Sequence, residues 1–196
     1  MKILVMGGTG FVARYVVEKL VAHHHVTLFN RGSDKNLFFP NIKRITGDRN
    51  NQKDLDLLTN YEWDCVVDLG YTISHISSLV NTLKSVVPYY GFISTDAINQ
   101  LGDSSYCEEN PEDSMCKYVM EKILCENYII DNFPNKYLIL RPTYICGKYD
   151  DTNRFDYGDW PTVYFKGSDE PIQYDDGNVL AEQIQTHIDT KTKGIF

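Results

Sequence analysis

Short apolar runs alternate with longer amphipathic stretches along the first three quarters of the chain. Met1–Met6 is an apolar run of strand length, and Arg14–Ala22 behind it has the spacing of an amphipathic helix. Val26–Phe29 and Ile42–Thr46 are β-branched or aromatic and end in polar loop residues, which predicts a second and a third strand. Gln52–Leu58 predicts a short helix, Asp64–Leu69 a strongly apolar fourth strand, Ser74–Val86 a helix and Tyr90–Ser94 a fifth strand. The longest helical pattern is Ser114–Asn132, with Met115, Val119, Ile123 and Ile130 supplying the apolar spacing. Tyr137–Leu140 then predicts a sixth strand, which Arg141-Pro142 stops. Repeated strand and helix with short connections builds a parallel sheet covered on both faces, so the expected class is α/β, a Rossmann-like doubly wound sheet.

Beyond Cys146 the pattern changes. Residues 147–176 are rich in Asp, Gly, Tyr and Pro, with Val163–Phe165 and Pro171–Tyr174 as the short-strand candidates, and predict irregular structure on the substrate side. A helix returns at Val179–Asp189, and Gly194–Phe196 has the look of a strand cut at its start. No repeat or low-complexity linker divides the chain, so a single domain over residues 1–196 is expected.

Charge narrows the partners. The chain has 19 Lys+Arg against 27 Asp+Glu, a net charge of −8, and no basic block, which argues against a nucleic-acid partner. No apolar run approaches the roughly 20 residues that span a bilayer, and the apolar start is too short for a signal peptide, so a cytoplasmic protein with no membrane partner is expected. Five cysteines, Cys65, Cys107, Cys116, Cys125 and Cys146, form no C-x-x-C pair and are expected as reduced thiols. His23-His24-His25, between the first helix and the second strand, reads as a solvated turn rather than a metal site. Asp150-Asp151 and Asp175-Asp176 likewise read as solvated loops, and Trp63 and Trp160 as packing or rim residues.

The candidate chemistry begins at Gly7-Gly-Thr-Gly-Phe-Val-Ala13, a glycine turn between the first strand and the first helix. Gly7 permits the tight turn, Gly10 lets the backbone approach a pyrophosphate, and Ala13 lets the helix lie close to the strand, so free N–H groups face an anion. A dinucleotide is the expected ligand. For acid–base work, the spacing Tyr-x-x-x-Lys recurs at Tyr15/Lys19, Tyr118/Lys122 and Tyr144/Lys148, and on a helix it sets an ammonium beside a phenol and lowers the phenol's pKa. Tyr15/Lys19 lies behind the pyrophosphate end, and Tyr144/Lys148 spans Gly147 and is not expected to be helical. Tyr118/Lys122 remains, following Ser94 and Thr95, whose hydroxyls emerge at the carboxyl edge of the sheet, where open α/β folds bind ligands.

Taken in order, Gly7-Gly-Thr-Gly-Phe-Val-Ala13, Ile93-Ser-Thr-Asp96, Tyr118-x-x-x-Lys122 and Arg141-Pro-Thr-Tyr-Ile-Cys-Gly147 resemble an extended or atypical short-chain dehydrogenase/reductase of the NAD-dependent epimerase/dehydratase family. Asn30-Arg-Gly-Ser33, Gly47-Asp-Arg49 and Asn153-Arg-Phe-Asp-Tyr157 are most similar to the branch that includes chloroplast stem-loop-binding proteins and related bacterial reductases. The resemblance implies that Tyr118 is the general acid/base, that Lys122 binds the nicotinamide ribose and lowers the Tyr118 pKa, and that Thr95 holds the substrate oxygen with Ser94 behind it. It implies a cofactor held by Gly7, Gly10, Phe11, Val12, Asn30, Arg31, Asp48, Arg49, Leu69, Gly70, Lys122 and Pro142. Asn30-Arg31 stands where an acidic residue would take a ribose 2′-hydroxyl, and a guanidinium suits a 2′-phosphate, so NADP is expected ahead of NAD.

The implied activity is NAD(P)-dependent oxidation–reduction or epimerisation at a hydroxyl or ketone of a small polar or sugar-like substrate. The alternative is a non-catalytic NADP-binding sensor or interaction module. Ala97 replaces the acid that follows Ser-Thr-Asp in sugar-nucleotide dehydratases, which disfavours water elimination, and Asn99 stands where the family has a tyrosine. Family members run on for about a hundred residues beyond a segment like Thr192–Phe196, so the carboxyl-terminal substrate-side region is expected to be reduced, in a fragment or a naturally short paralogue. The resemblance also implies a homodimer, formed through a helix pair that includes Ser114–Asn132.

Overall fold

The apolar amino-terminal run forms β1 (Lys2–Met6), and its Ile3, Leu4 and Val5 lose all contact with solvent because helices cover both faces of the sheet they enter. In the computed structural model, which describes residues 1–33, 38–102, 105–159 and 161–196, α1 (Phe11–Val21) and β2 (His25–Asn30) follow. Then come β3 (Lys43–Thr46), α2 (Gln52–Asp56) with a 3-10 turn at Leu57–Asn60, β4 (Cys65–Asp68), α3 (Ile73–Leu83) and β5 (Tyr90–Ile93). Two short helices, α4 (Ala97–Leu101) and α5 (Ser105–Glu109), precede α6 (Ser114–Asn132) and β6 (Tyr137–Leu140). The last quarter holds β7 (Tyr144–Cys146), β8 (Phe155–Tyr157), β9 (Val163–Phe165), β10 (Tyr174–Asp176), α7 (Gly177–Thr190) and β11 (Gly194–Ile195). Trp160 lies outside the described residues.

The central sheet runs β3-β2-β1-β4-β5-β6-β11, with every pairing parallel. Successive side chains point to opposite faces. Leu4, Met6, Val66, Tyr90, Phe92 and Ile139 join one core under α2, α3 and α6, while Ile3, Val5, Leu28, Val67, Leu138 and Leu140 join another under α1 and α7. Strand order reverses between β1 and β4, and the carboxyl ends of those two strands open a crevice at that switch point. Among the described residues no helix is long and apolar enough to cross a membrane.

Several expectations are corrected. Residues 147–176 are more ordered than expected: β7 pairs with β10 and β8 with β9, around a small core of Cys146, Phe155 and Val163. The strand read at Pro171–Tyr174 forms at Tyr174–Asp176, and Pro171 makes an isolated bridge to Tyr164. Three of the four acidic residues are structural rather than solvated: Asp176 caps α7, Asp175 accepts from the amide and hydroxyl of Thr143, and Asp150 accepts from Thr152 and Tyr157, while Asp151 is exposed. His24 is packed, not solvated, with its Nε2 3.1 Å from Asp189 of α7, and burial is the leading cause that lowers its pKa. Cys107 of α5 and Cys116 in the first turn of α6, whose start Asp113 caps, form a disulfide with Cα atoms 5.4 Å apart, and Cys65, Cys125 and Cys146 are buried thiols. Trp63 packs, its indole donating to the Leu58 carbonyl at 2.8 Å.

The apolar spacing along α6 pointed to Met115, Val119, Ile123 and Ile130, yet the buried face is Cys116, Val119, Lys122, Cys125, Glu126 and Ile129. Two charged residues go inward because each finds a partner there, and Met115 turns outward.

Tyr15 of α1 lies flat beneath the start of α7 and the end of β7. A Cβ added to Gly177 would meet its ring at 2.5 to 2.8 Å, and the ring is itself fully buried. Gly177→Val is therefore expected to destabilise the protein by about 2 kcal/mol through overpacking. In a thermal melt that is a fall of roughly 4–8 °C for a domain of this size.

Candidate active site

The glycine turn sits between two clefts. Gly7 and Gly8 adopt φ of +95° and +94°, a conformation that L side chains resist, and the Gly7 amide donates to the Phe29 carbonyl at 2.8 Å. Asn30 donates from Nδ2 to the Gly7 carbonyl at 2.8 Å and accepts from the Gly32 amide at 3.0 Å. Its side chain thus ties the turn to the loop after β2. Gly10 is the residue before α1, no side chain caps the helix there, and nothing lies within 4 Å of where its Cβ would project. The helix start is bare. To one side a cleft of about 350 Å³ is lined by Gly7, Thr9, Asn30, Arg31, Asp48, Arg49 and Leu69; to the other a cleft of about 580 Å³ is lined by Phe11, Val12, Ser94, Thr95, Tyr118 and Pro142.

In the first cleft, Asp48 accepts from the Asn50 amide at 2.9 Å and from its Nδ2 at 3.0 Å, and the amide bond leads in lowering the carboxyl's pKa. Arg49 turns beneath the cleft instead, making a bidentate pair with Asp68 at 3.2 and 2.8 Å. Asp68 has no exposed surface and also accepts from the Gly70 amide and from the Tyr90 hydroxyl, each at 2.8 Å. Burial alone would raise its pKa, but the Arg49 charge and these hydrogen bonds outweigh it and hold the carboxyl below its usual range. A Cβ on Gly70 would meet Arg49 Nη1 at 2.7 Å and Asp68 Oδ1 at 3.1 Å, so any side chain there would push the ion pair apart.

In the second cleft, Lys122 lies under the floor with its Nζ donating to the Gly70 carbonyl at 3.0 Å and the Ile93 carbonyl at 2.6 Å. Two of its three protons are used, and the third is free for a ligand. Burial lowers the amine's pKa to about 8. The expected action of Lys122 on Tyr118 is not what the structure displays. Burial raises the phenol's pKa, and the groups that pull it back are the hydrogen-bonded Thr95 hydroxyl and the charge of Arg154. Two backbone carbonyls hold Lys122 Nζ, which sits 5.8 Å from the centre of the Tyr118 ring. Ser94 Oγ is buried and has no hydrogen-bond partner among the described residues. Asn99 accepts from Arg141 at 2.7 Å, and Arg141 in turn pairs with buried Glu126.

The structure therefore brings Tyr118, Thr95 and Ser94 into one cleft with Phe11, Val12 and Pro142, and Gly7, Asn30, Arg31, Asp48, Arg49 and Leu69 into the other. Gly70 and Lys122 join the two from below through one hydrogen bond. Residues without a sequence-derived role also line these walls. Asn50 and His75 close the first cleft, bonded to each other at 2.5 Å, while Gln100, Met115, Arg154 and Gln173 line the second. Met115 was read from the sequence as a core position of the long helix, and Arg154 stood within Asn153-Arg-Phe-Asp-Tyr157, where it carried resemblance but no chemistry.

Residues 3–88 match the model of the NAD dependent epimerase/dehydratase family. The family match runs from β1 through α3 and so holds the glycine turn and the whole first cleft; Thr95, Tyr118 and Lys122 lie beyond it. No curated protein matches the chain. Among solved structures, the chain is similar to a wide-type short-chain dehydrogenase/reductase from Veillonella parvula in complex with NADP, at TM-score 0.66 and 18% identity over 96% of this chain and 87% of that one. It is similar to ChuY, an anaerobilin reductase from Escherichia coli O157:H7, at 0.67 and 15% over 95% and 90%. It is also similar to the Bordetella bronchiseptica enzyme WbmH in complex with NAD+, at 0.72 and 14% over 100% and 74%. At these identities the likeness is one of fold, the Rossmann-like sheet of short-chain dehydrogenases and epimerases.

Removing one partner of the buried Arg49–Asp68 pair is expected to cost about 3–5 kcal/mol. Because the folded-state pKa of Asp68 is lowered, its stabilisation is complete above the unfolded-state value of about 3.9 and is lost as pH falls through the folded-state value. Urea midpoints of Asp68→Asn should therefore be lower than wild type at neutral pH and should fall less steeply below about pH 4.

Proposed function

We propose that this chain is an NAD(P)-dependent oxidoreductase or epimerase, with NADP as the favoured cofactor, that interconverts a hydroxyl and a carbonyl on a small polar or sugar-like substrate. The observation that carries this reading is that Tyr118, Thr95 and Ser94 line one cleft, on the other side of the glycine turn from a second cleft containing Arg31. A dinucleotide fits that arrangement: two clefts suit its two nucleoside halves, and the bare helix start at Gly10 suits the pyrophosphate between them. The relatives whose structures contain NADP or NAD+ support the same reading.

In the first cleft Asp48 and Arg31 would hold the adenosine half, with Arg31 taking a 2′-phosphate. In the second, Lys122 offers its third proton to a ribose hydroxyl through the floor. A bound nicotinamide would supply or accept the hydride. Tyr118, whose phenol burial keeps protonated at neutral pH, donates its proton to a substrate carbonyl oxygen in the reducing direction. The Thr95 hydroxyl steadies the phenolate that remains, and Ser94 offers an unspent hydroxyl to the same oxygen.

Calorimetric titration with NADPH and NADH tests the cofactor. Wild type should prefer NADPH, and Arg31→Ala should weaken NADPH roughly 10- to 100-fold, as expected for a lost charged hydrogen bond of 1.5–3 kcal/mol, while leaving NADH within about threefold. Equal binding of both cofactors by wild type removes Arg31 from this role.

Tyr118→Phe should lower NADPH-dependent reduction of a carbonyl panel by about 10²–10⁴-fold with NADPH affinity nearly unchanged. NADPH that is bound yet never oxidised across the panel by wild type would instead favour a cofactor-binding sensor.

A further inference from the structure

The substrate side of the second cleft has an uneven charge. Among the described residues that line it, Arg154 is the only cation and Asp96 the only acid. Both Asp96 oxygens are already engaged on α4, by Asn99 Nδ2 at 2.7 Å and by Gln100 Nε2 at 2.9 Å. Arg154 is held differently. Its Nε donates to Thr152 Oγ1 at 3.0 Å, Thr152 Oγ1 donates to Asp150 at 2.5 Å, and Tyr157 occupies the other Asp150 oxygen at 3.0 Å. Its backbone carbonyl accepts from the Lys166 amide at 2.8 Å, which pins this position to the end of β9. The guanidinium is thus oriented through one nitrogen, and among the described residues no carboxylate pairs with it. Ser94, buried and without a partner among the described residues, lies in the same cleft.

We propose that Arg154 reads an anionic group on the substrate, so that the molecule reduced or oxidised at Tyr118 carries a carboxylate or phosphate near its reacting carbon. A guanidinium held at Nε keeps its two terminal nitrogens parallel and available, the fork that matches carboxylate and phosphate oxygens. Free solvation of an exposed loop cation would need no relay from Asp150 through Thr152. Arg154 and Tyr118 line the same cleft of about 580 Å³, so one small substrate can meet both. This inference rests on the reading above, that substrate reacts at Tyr118, and narrows it to anionic hydroxy or keto compounds.

The test uses matched probes that differ in charge. Phenylglyoxylate and its methyl ester, then dihydroxyacetone phosphate and dihydroxyacetone, are titrated into the full chain with and without saturating NADP+. The expected result is that one acid binds wild type at least ten times more tightly than its neutral partner. That preference should vanish in Arg154→Gln, return in part in Arg154→Lys, and leave NADP+ affinity unchanged. Preference in the first pair alone identifies a carboxylate and in the second alone a phosphate. Equal binding within both pairs, no binding of any probe, or a preference that survives in Arg154→Gln overturns the assignment. Loss of the cofactor reading is separately visible, as absence of NADP+ binding, and the acid and ester titrations without cofactor still decide Arg154.

Discussion

Asp68 is a carboxylate with no exposed surface at the end of the strand where the sheet's order reverses, and it anchors Arg49 at the first cleft and, through Gly70, the lysine beneath the second. An ionised group there is tenable only because Arg49, Tyr90 and the Gly70 amide satisfy it together. Each partner comes from a different place: the loop after β3, the strand β5 and the turn after β4. Satisfying one charge therefore fixes three segments. The Gly70 amide points at Asp68 while its carbonyl points at Lys122, so the floor of the first cleft and the amine beneath the second are two ends of one hydrogen-bonded chain. Loosening Asp68 would disturb the position of Lys122 without any direct contact between them.

The sheet was legible because its signal is strong and local. Cys65–Asp68, Tyr90–Ile93 and Tyr137–Leu140 are buried on both faces and so read as continuous apolar runs. The glycine turn was legible for a similar reason, since Gly7 adopts a backbone conformation that other residues resist. Features set by tertiary partners were not visible. α4 buries no residue and carries no apolar period, and β8 becomes a strand only because β9 returns beside it. The inward face of α6 could not be found from hydrophobicity, as Lys122 and Glu126 belong to it.

The site divides along the same line. Tyr118, Lys122, Thr95 and Arg31 could be named from spacing and motif, but how they influence one another could not. The sequence places an ammonium one helical turn from a phenol, whereas the fold spends that ammonium on the carbonyls of Gly70 and Ile93 and leaves Thr95 beside the phenol. Helical spacing gives neighbours along one element, while the carbonyls that capture Lys122 come from two others. Cys107 and Cys116 show the same limit, since they lie on two helices, α5 and α6, and no motif of cysteines announces their pairing.

Tyr15 gives the molecule a mechanical property. The helix that starts at the glycine turn also carries this ring, which fills the space under Gly147 and Gly177 and accepts no added atom from either. The Tyr149 amide donates to its hydroxyl at 3.2 Å. The end of β7, the strand that bears Tyr144, and the start of α7 are thus keyed to α1 like a tenon in its mortise. Neither can shift against α1 without emptying a filled socket, so the Tyr144 side of the second cleft is held at a set distance from the glycine turn.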